Sequence, residues 1–219
     1  MAMSEVRIIY EDDNIMVVDK PAGMLVIPAP GDNGRTLTYL LNHDPSLRAG
    51  SAQGAPPVSP AVQPCHRIDR QTSGLIIYAK GKKTQQAMME EFKQRRVKKS
   101  YTAFVNGRLD GRRTEISSSI EGKKALTRYR LLEQRRDFAV IEVEPVTGRT
   151  NQIRIHFKSI GHPLVGERKF AFARDYKLRF RRAALHSRRI EFNHPATGQR
   201  MSFESPMPDD MEKFLENNK

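Results

Sequence analysis

The sequence predicts a mixed α/β fold of the α+β class, in which strands outnumber helices. Short apolar runs that are rich in β-branched residues recur between turns, and residues 75–79 form the clearest of them. Apolar residues with helical spacing occur only in brief segments between those runs. The chain has 219 residues, of which 38% are hydrophobic, so it is long enough to bury one sizeable core.

The first elements are a hairpin, a short helix and a loop. Residues 6–10 and 15–19 are strand-like and flank an Asx-rich turn, which predicts an opening β-hairpin. Leucines over residues 37–41 share one helical face, and this helix should end before Pro45. Residues 49–64 are mostly Ala, Gly, Pro and Ser, a composition that predicts a flexible loop inside the domain.

A buried strand, a helix and a further strand follow this loop. The strand is predicted over residues 75–79, because glycine and lysine bound an uninterrupted apolar run. Thr84 is placed to cap the next helix, in which Met88 and Phe92 lie one turn apart. Alternating residues over 101–105 predict the following strand, which an Asn-Gly pair closes.

Two more strands are predicted over residues 126–132 and 138–143. Residues 150–160 fit both strand alternation and helical spacing. Gly161 and the proline that follows it favour a helix, because glycine is the usual residue at the end of a helix. A closing hairpin over residues 190–203 and a C-terminal helix that begins near residue 208 complete the chain.

Charge and cysteine content narrow the class of protein. Lys and Arg number 38 against 25 Asp and Glu, a formal net charge of +13, which favours an anionic partner such as nucleic acid over charge for solubility alone. The single cysteine, Cys65, excludes an internal disulfide, and no Cys/His spacing predicts a zinc site. No apolar run is long enough to span a membrane, and acidic residues precede any signal-like segment, so we expect a cytoplasmic protein.

A polar loop precedes the predicted strand at residues 75–79. Asp69 lies in this loop between Arg67 and Arg70, and loops that rigid elements hold are common sites of function. By composition alone, Asp69 is best explained as an Asx-turn or a local ion pair with a neighbouring arginine.

The exact sequence of residues 66–80 is more informative than their composition. Residues 66–80, HRIDRQTSGLIIYAK, closely resemble the signature of the RluA family of RNA pseudouridine synthases, in which the aspartate is catalytic. Three more motifs follow the order of that family: DKPAG at 19–23, KSY at 99–101, and TGRTNQIRIH with GHPLVG within 147–166. LHS at 185–187 is similar to a late family element, so the resemblance covers nearly the whole chain.

The resemblance implies the pseudouridine synthase catalytic domain, with a long, mainly antiparallel sheet, flanking helices and a central cleft. We expect residues 1–219 to form this single domain, with the flexible loop at about 49–64. No sequence before the first motif resembles the S4-type RNA-binding domain of some members, so the catalytic domain itself is expected to hold RNA. We expect a monomer without a protein partner.

The implied reaction is isomerisation of a uridine in RNA, without cofactor or metal. One ionised carboxylate can act as nucleophile or base, and Asp69 matches it. Arg154 matches the arginine that pairs with the aspartate, and Tyr101 matches the tyrosine that stacks on the flipped base. Arg67 matches the arginine that fills the vacated position in the RNA. Apart from the resemblance, Arg154 is explained as part of a solvated helix face, Tyr101 as a core tyrosine and Arg67 as a surface arginine.

Two positions depart from the family pattern. Asn151 stands where the third motif usually has histidine, and it does not titrate near neutral pH as histidine does. Residues 166–171 read GERKFA in place of a Gly-Asp-x-x-Tyr-Gly element, which keeps a carboxylate and an aromatic ring but changes their reach. We therefore expect a different local loop and no proton transfer at residue 151.

The densest basic segments, residues 174–189 and 93–99, are candidates for the surface that holds RNA. Tyr176 and Phe180 are four residues apart and could share a helix face, more readily as core anchors than as stacking platforms. The positive charges would then face outward. The candidate RNA-binding residues in this segment are Arg179, Arg181 and Arg182.

The leading interpretation is an isomerase that acts on stem-loops of tRNA, of large-subunit ribosomal RNA, or of both. The alternative is a basic RNA-binding protein that keeps the fold without catalysis. A glycosidase is a weaker third hypothesis, because it would need a second carboxylate beside Asp69 and no motif supplies one.

Overall fold

The computed structural model describes residues 5–31, 34–48, 61–111, 113–171 and 178–218. In this part of the chain, ten strands form a long, mainly antiparallel sheet, and four α-helices accompany it. The predicted α+β class is therefore confirmed. None of the helices in these ranges is both long enough and apolar enough to cross a membrane.

The element bounds are as follows. The strands are β1 (Arg7–Glu11), β2 (Ile15–Lys20), β3 (Val62–Pro64), β4 (Ser73–Lys80), β5 (Lys98–Asn106), β6 (Arg113–Ile120), β7 (Lys123–Gln134), β8 (Phe138–Pro145), β9 (Leu185–Asn193) and β10 (Arg200–Glu204). The helices are α1 (Leu37–His43), α2 (Lys82–Lys93), α3 (Gln152–Ser159) and α4 (Asp209–Asn217), and a short 3₁₀ helix covers Pro45–Arg48.

Residue contacts divide the chain into two compact units. The first unit comprises Met1–Lys98 and Arg189–Ser205, and the second comprises Lys99–Arg188 and Pro206–Lys219. Each unit is thus built from two separate stretches of sequence.

In the first unit, β2 pairs antiparallel with both β1 and β4, and β10 pairs with β9. The two predicted hairpins are confirmed. Strands β2 and β4 are buried along almost their whole length, which explains why residues 15–18 and 75–79 are uninterrupted apolar runs that do not alternate. Side chains of both strands join Met88 of α2 and Phe192 of β9 in one hydrophobic cluster.

Two predictions for the first unit need correction. The predicted loop at 49–64 extends too far, because Val62–Pro64 form β3 and pair with Tyr78–Lys80 of β4, while residues 49–60 lie outside the described residues. The capping role of Thr84 is wrong. Helix α2 begins at Lys82 after Gly81, whose φ of +80° supplies a turn that a β-carbon would disfavour, and no side chain caps this helix.

In the second unit, the strand order β5-β8-β7-β6 is antiparallel throughout. The sequence did not predict β6, because its RTEISSSI sequence has serines where an alternating strand would have apolar residues. Helix α4 begins next to Pro208, as predicted, and buries Met211 and Phe214 in the core of this unit.

Helix α3 resolves the ambiguity of residues 150–160 in favour of the predicted helix. Gly161 has a φ of +80°, and its N–H donates to the carbonyl of Lys158 while the N–H of His162 donates to that of Phe157. This pair of bonds is a Schellman motif, which stops the helix at the predicted glycine.

The basic segment has a different conformation from the one that we considered. Residue 176 lies outside the described residues, and residues 178–182 are not helical, so no shared helix face supports Phe180. Phe180 instead packs against Phe214 with a ring-centroid distance of 5.3 Å. Phe180 is therefore anchored to the core of the second unit while it stays partly exposed.

Candidate active-site residues

Asp69 lies in the ordered loop between β3 and β4 of the first unit. Its backbone carbonyl accepts the N–H of Thr72 at 3.0 Å, which closes a tight turn just before β4. The Asp69 residue is half-buried, whereas Arg67 in the same loop is exposed. His66 fixes the start of this loop, because its Nε2 accepts the N–H of Ile77 at 3.0 Å. The loop therefore presents an arginine and a carboxylate from a firmly anchored backbone.

Lys20 connects a second loop to this one. Its side chain is fully buried, and Nζ donates to the carbonyls of Pro21 at 2.8 Å, Met24 at 2.9 Å and Arg70 at 3.4 Å. The Arg70 carbonyl also accepts the N–H of Gly23 at 2.7 Å. These bonds fix the backbone one residue after Asp69. The DKPAG motif therefore stabilises the Asp69 loop through the buried Lys20 ammonium and the N–H of Gly23.

Tyr101 lies on β5 of the second unit, opposite Val143 of β8, and is 7% exposed. Strand β5 is buried from Ser100 onward, which fixes the direction of its side chains. Lys99 lies two residues earlier, and burial lowers the pKa of its ammonium group to about 8. Tyr101 is thus held rigidly, and a lysine with a lowered pKa lies two residues away on the same strand.

Arg154 projects from α3 in the second unit and is 6% exposed. Its Nε and Nη2 donate to Oε2 and Oε1 of Glu167 at 2.7 and 2.8 Å, in a bidentate pair. Nη1 donates to Oδ1 of Asn151 at 2.9 Å, and the guanidinium lies 5.1 Å from the ring of Phe170. A charge buried this deeply needs such compensation, and the planar guanidinium is thereby fixed in orientation.

Asn151 immediately precedes α3 and has a φ of +53°, in the left-handed region. Asparagine and histidine both enter this region more readily than most residues. Asn151 therefore meets the backbone requirement of the position where the family usually has histidine, and its amide oxygen binds Arg154.

Glu167 is the functional candidate that sequence reasoning did not identify. Its Oε1 also accepts the N–H groups of Arg168, Lys169 and Phe170 at 3.0, 2.8 and 3.3 Å. Burial alone would raise the pKa of this carboxyl, but the hydrogen bonds from Arg154 and from the backbone outweigh burial and lower the pKa. The carboxylate retained in the altered GERKFA element was the available signal.

A polar network anchors α3 to β7. The Gln152 side chain donates to the carbonyl of Leu126 and to Oγ1 of Thr127, both at 3.0 Å, and accepts from the hydroxyl of Thr147 at 2.7 Å. Nδ1 of His156 lies 2.9 Å from the same Thr127 hydroxyl. His156 is completely buried, and this burial lowers its pKa. Much of the TGRTNQIRIH motif thus serves to position the helix that carries Arg154.

The three arginines predicted to bind RNA differ in exposure. Arg179 and Arg181 are exposed, but Arg182 is 7% exposed. Its Nε and Nη2 donate to Asp210 at 2.7 and 2.9 Å, and its Nη1 donates to backbone carbonyls. The expectation that Arg182 faces outward is therefore wrong, because backbone carbonyls of the chain around it and the carboxylate of Asp210 on α4 bind its guanidinium.

Among the described residues, no group of three or more His, Cys, Asp or Glu side chains could hold a metal ion. The first unit contains Arg67 and Asp69 on one loop. The second unit contains Tyr101 and Arg154, together with the exposed Arg179 and Arg181.

Comparison with known proteins identifies relatives over almost the full length of the chain. Residues 14–159 match the family model for RNA pseudouridylate synthase. The chain is 37% identical to ribosomal large subunit pseudouridine synthase D of Nitrosomonas europaea, over 96% of this chain and 64% of that protein. It is 35% identical to the uncharacterized RNA pseudouridine synthase YlyB of Bacillus subtilis, over 97% of this chain and 73% of that protein.

A solved structure supports the same relationship. Human RNA pseudouridylate synthase domain containing 1 superposes with a TM-score of 0.73 and 25% identity, over 94% of this chain and 85% of that one. The chain spans between about 60% and 73% of the length of the curated relatives it matches. The family-model match, the relatives and the fold lead to one conclusion: the chain belongs to the RNA pseudouridylate synthase family.

Proposed function

We propose that this chain is an RNA pseudouridine synthase, which isomerises specific uridines in stem-loops of large-subunit ribosomal RNA. The observation that carries the proposal is the match of HRIDRQTSGLIIYAK, with Asp69 on an anchored loop, inside a chain of this family. Relatives named as ribosomal large subunit synthases support a ribosomal substrate. Stem-loops of tRNA are the second substrate class that the resemblance supports.

In the proposed mechanism, the Asp69 carboxylate is the catalytic group. The N1–C1′ bond of the uridine breaks, the uracil turns, and C5 bonds to C1′ while the C5 proton is lost and a proton returns to N1. No atom is gained or lost overall, so one carboxylate that acts as nucleophile or base suffices. No cofactor is required by this balance.

Tyr101 supplies a flat surface for the uracil once it has left its stack in the RNA. Its burial in β5 supports this role, because a fixed ring needs no ordering when the base arrives. Arg154 supplies the positive charge that keeps a catalytic carboxylate ionised and oriented. The bidentate Glu167 pair supports this role by fixing the guanidinium before RNA binds.

RNA is held mainly through phosphate contacts with exposed cations. Arg67 has the position that the family uses to fill the gap left by the flipped base, and its exposure is compatible with that role. Arg179 and Arg181 are exposed and remain candidates for phosphate binding. We further propose a cytoplasmic monomer, consistent with one buried, reduced cysteine and a charge suited to RNA.

The experiment that tests this function combines pseudouridine mapping with reconstitution. Total RNA from cells with and without the gene is mapped, and the unmodified RNA is then incubated with purified protein. We expect one or a few sites to disappear without the gene and to return with wild-type protein but not with Asp69→Asn. Asp13→Asn, an exposed aspartate that loses the same charge, is the matched control and should restore the sites.

The same experiment separates catalysis from the RNA-binding alternative. If Asp69 is catalytic, Asp69→Asn loses activity while it retains most of its affinity for RNA. If neither wild type nor variant forms pseudouridine on any unmodified ribosomal RNA or tRNA, catalysis is abandoned in favour of the binding protein.

A further inference from the structure

A cavity of about 310 Å³ lies in the second unit and has no part in the chemistry described above. It is lined by Glu167, the carboxylate that holds Arg154, and by residues 178–181. A volume of this size is at the lower end of the range for small-molecule sites, so it accommodates one nucleotide but not a duplex.

The rim of the cavity is positively charged. Arg168, Arg179 and Arg181 all line it, and all three are exposed. Within the described ranges, neither Arg168 nor Arg179 is paired with a carboxylate. The carboxylate of Glu167 is already bonded by Arg154 and by backbone N–H groups, so it does not neutralise the rim. Guanidinium groups in this arrangement suit a phosphate.

The inner wall is apolar and is held firmly. Leu164 is fully buried, and Leu178 and Phe180 are half-buried. The Phe180 ring packs against Phe214 and lies 5.5 Å from the guanidinium of Arg182, so it is fixed from behind. An aromatic ring beside aliphatic side chains is a suitable surface for the face of a nucleobase.

Asn106 adds a directional polar group to this wall. The residue is 6% exposed, and its Nδ2 donates to the carbonyl of Pro163 at 2.9 Å. That bond leaves a second N–H and Oδ1, for which no described residue provides a partner. A side-chain amide with a free donor and a free acceptor matches the hydrogen-bonding edge of a base.

We propose that this cavity binds one unstacked nucleotide of a single-stranded RNA segment, with its phosphate on the rim arginines and its base between Phe180 and Asn106. The inference rests on the proposed function, because that function identifies RNA as the source of the nucleotide. It goes further by naming a second nucleotide site within the second unit, separate from the uridine that reacts. Because Glu167 lines the cavity and also holds Arg154, occupancy of the site would stabilise the guanidinium geometry.

The test uses the full chain with carbon-13-labelled leucine methyl groups, titrated at low salt with the single-stranded RNA pentauridylate. We expect the methyl signals of Leu164 and Leu178 to shift and to saturate. Arg179→Gln should weaken this binding about tenfold, the loss of one hydrogen bond to an anion. Arg136→Gln, which removes an exposed arginine outside the cavity, is the matched control and should leave the affinity unchanged.

A second variant tests the cavity without changing charge. Leu178→Trp fills the space from its wall, and the folded variant should lose the shift of the Leu164 methyls. Inorganic phosphate added to the free protein should not shift the Leu164 methyls. Added to the RNA complex, it should compete for the rim arginines and reduce the shift that RNA causes. If the Leu164 and Leu178 signals stay fixed in wild type at millimolar RNA, or if Arg179→Gln and Arg136→Gln bind equally, the site is refuted.

These results do not depend on catalysis. If the methyl shifts saturate but the protein forms no pseudouridine, the proposed nucleotide site stands and the proposed enzymatic function is rejected. Unshifted methyls in a protein that does form pseudouridine would retain the enzyme and reject the site.

Discussion

Glu167 binds Arg154 through two parallel hydrogen bonds of 2.7 and 2.8 Å, and its carboxylate is fully buried. The same carboxylate closes the turn that follows it by accepting backbone N–H groups. One acidic side chain therefore orients the arginine that the family pattern associates with catalysis and shapes the loop beside it. The variants below test this arrangement and its surroundings.

Glu167→Gln should destabilise the fold by about 3–5 kcal/mol, because it leaves Arg154 as a buried charge without its main partner. The free energy of unfolding in urea measures this loss. The exposed Glu144→Gln, which removes the same charge, should change it little. Since the folded-state pKa of Glu167 is lowered, its contribution is present above the unfolded carboxyl pKa of about 4.3 and is lost as pH falls further. Equal unfolding midpoints for the two variants would contradict this role.

Asn151→His restores the usual family residue and should add a pH dependence to that of wild type. A neutral imidazole accepts the Nη1 bond from Arg154, whereas a protonated one repels the guanidinium. We expect stability equal to that of wild type at pH 7.5, and a deficit of about 1 kcal/mol relative to wild type as pH falls below about 6.5. Asn151→Ala should be less stable than wild type by the same amount at both pH values. If Asn151→His and wild type lose stability in parallel as pH falls, the bond to Arg154 contributes nothing.

Lys20→Met should destabilise the protein by about 3 kcal/mol, because buried carbonyls of Pro21 and Met24 lose their donor. The amide of Gly23, which donates to the Arg70 carbonyl, should exchange its hydrogen faster as the two loops separate. Lys83→Met, on the exposed surface of α2, is the control. Unchanged exchange at Gly23 would mean that Lys20 does not support the Asp69 loop.

Gly166→Ala should cost about 3 kcal/mol, which combines overpacking with left-handed backbone strain. A β-carbon there would lie 2.0 Å from the carbonyl oxygen of Arg182, and φ is +76°. Gly148→Ala, where a β-carbon meets nothing within 4 Å and φ is not positive, should be tolerated. Thermal unfolding of both variants checks the difference, and similar melting temperatures would rule out the close crossing of these segments.

His156 should make stability fall as pH decreases from neutrality. Burial lowers its folded-state pKa, so the unfolded chain takes up a proton near pH 6.5 while the folded protein does not. Stability is therefore complete above pH 6.5 and declines as pH falls toward the folded-state value. His156→Gln should flatten this dependence, as measured by urea unfolding from pH 7.5 to 5.5. The exposed His43→Gln should retain it.

Local signals in the sequence were sufficient for the hairpins, the buried strand β4 and the end of α3. In each case the deciding residues are adjacent in sequence, such as the glycine at 161 that ends its helix. The apolar spacing of residues 150–160 and the glycine after them also led correctly to the helix that carries Arg154.

Long-range pairings explain what the sequence did not reveal. Arg182 and Asp210 lie far apart in sequence, so nothing local distinguished this buried arginine from exposed Arg179 and Arg181. Glu167 likewise became prominent only through its distant partner Arg154. Strand β6 was missed because its partner β7, and not its own serine-rich sequence, determines its conformation.

The two-segment composition of both units has a consequence for synthesis on the ribosome. The first unit is complete only when residues 189–205 supply most of β9 and the whole of β10. The second unit is complete only when residues 206–219 supply α4. A nascent chain that has reached residue 188 therefore exposes incomplete cores in both units, since Phe192 and Phe214 are still missing. At roughly 5–20 residues per second, the last segments emerge within seconds, and the final folding step is expected after translation of this region is complete.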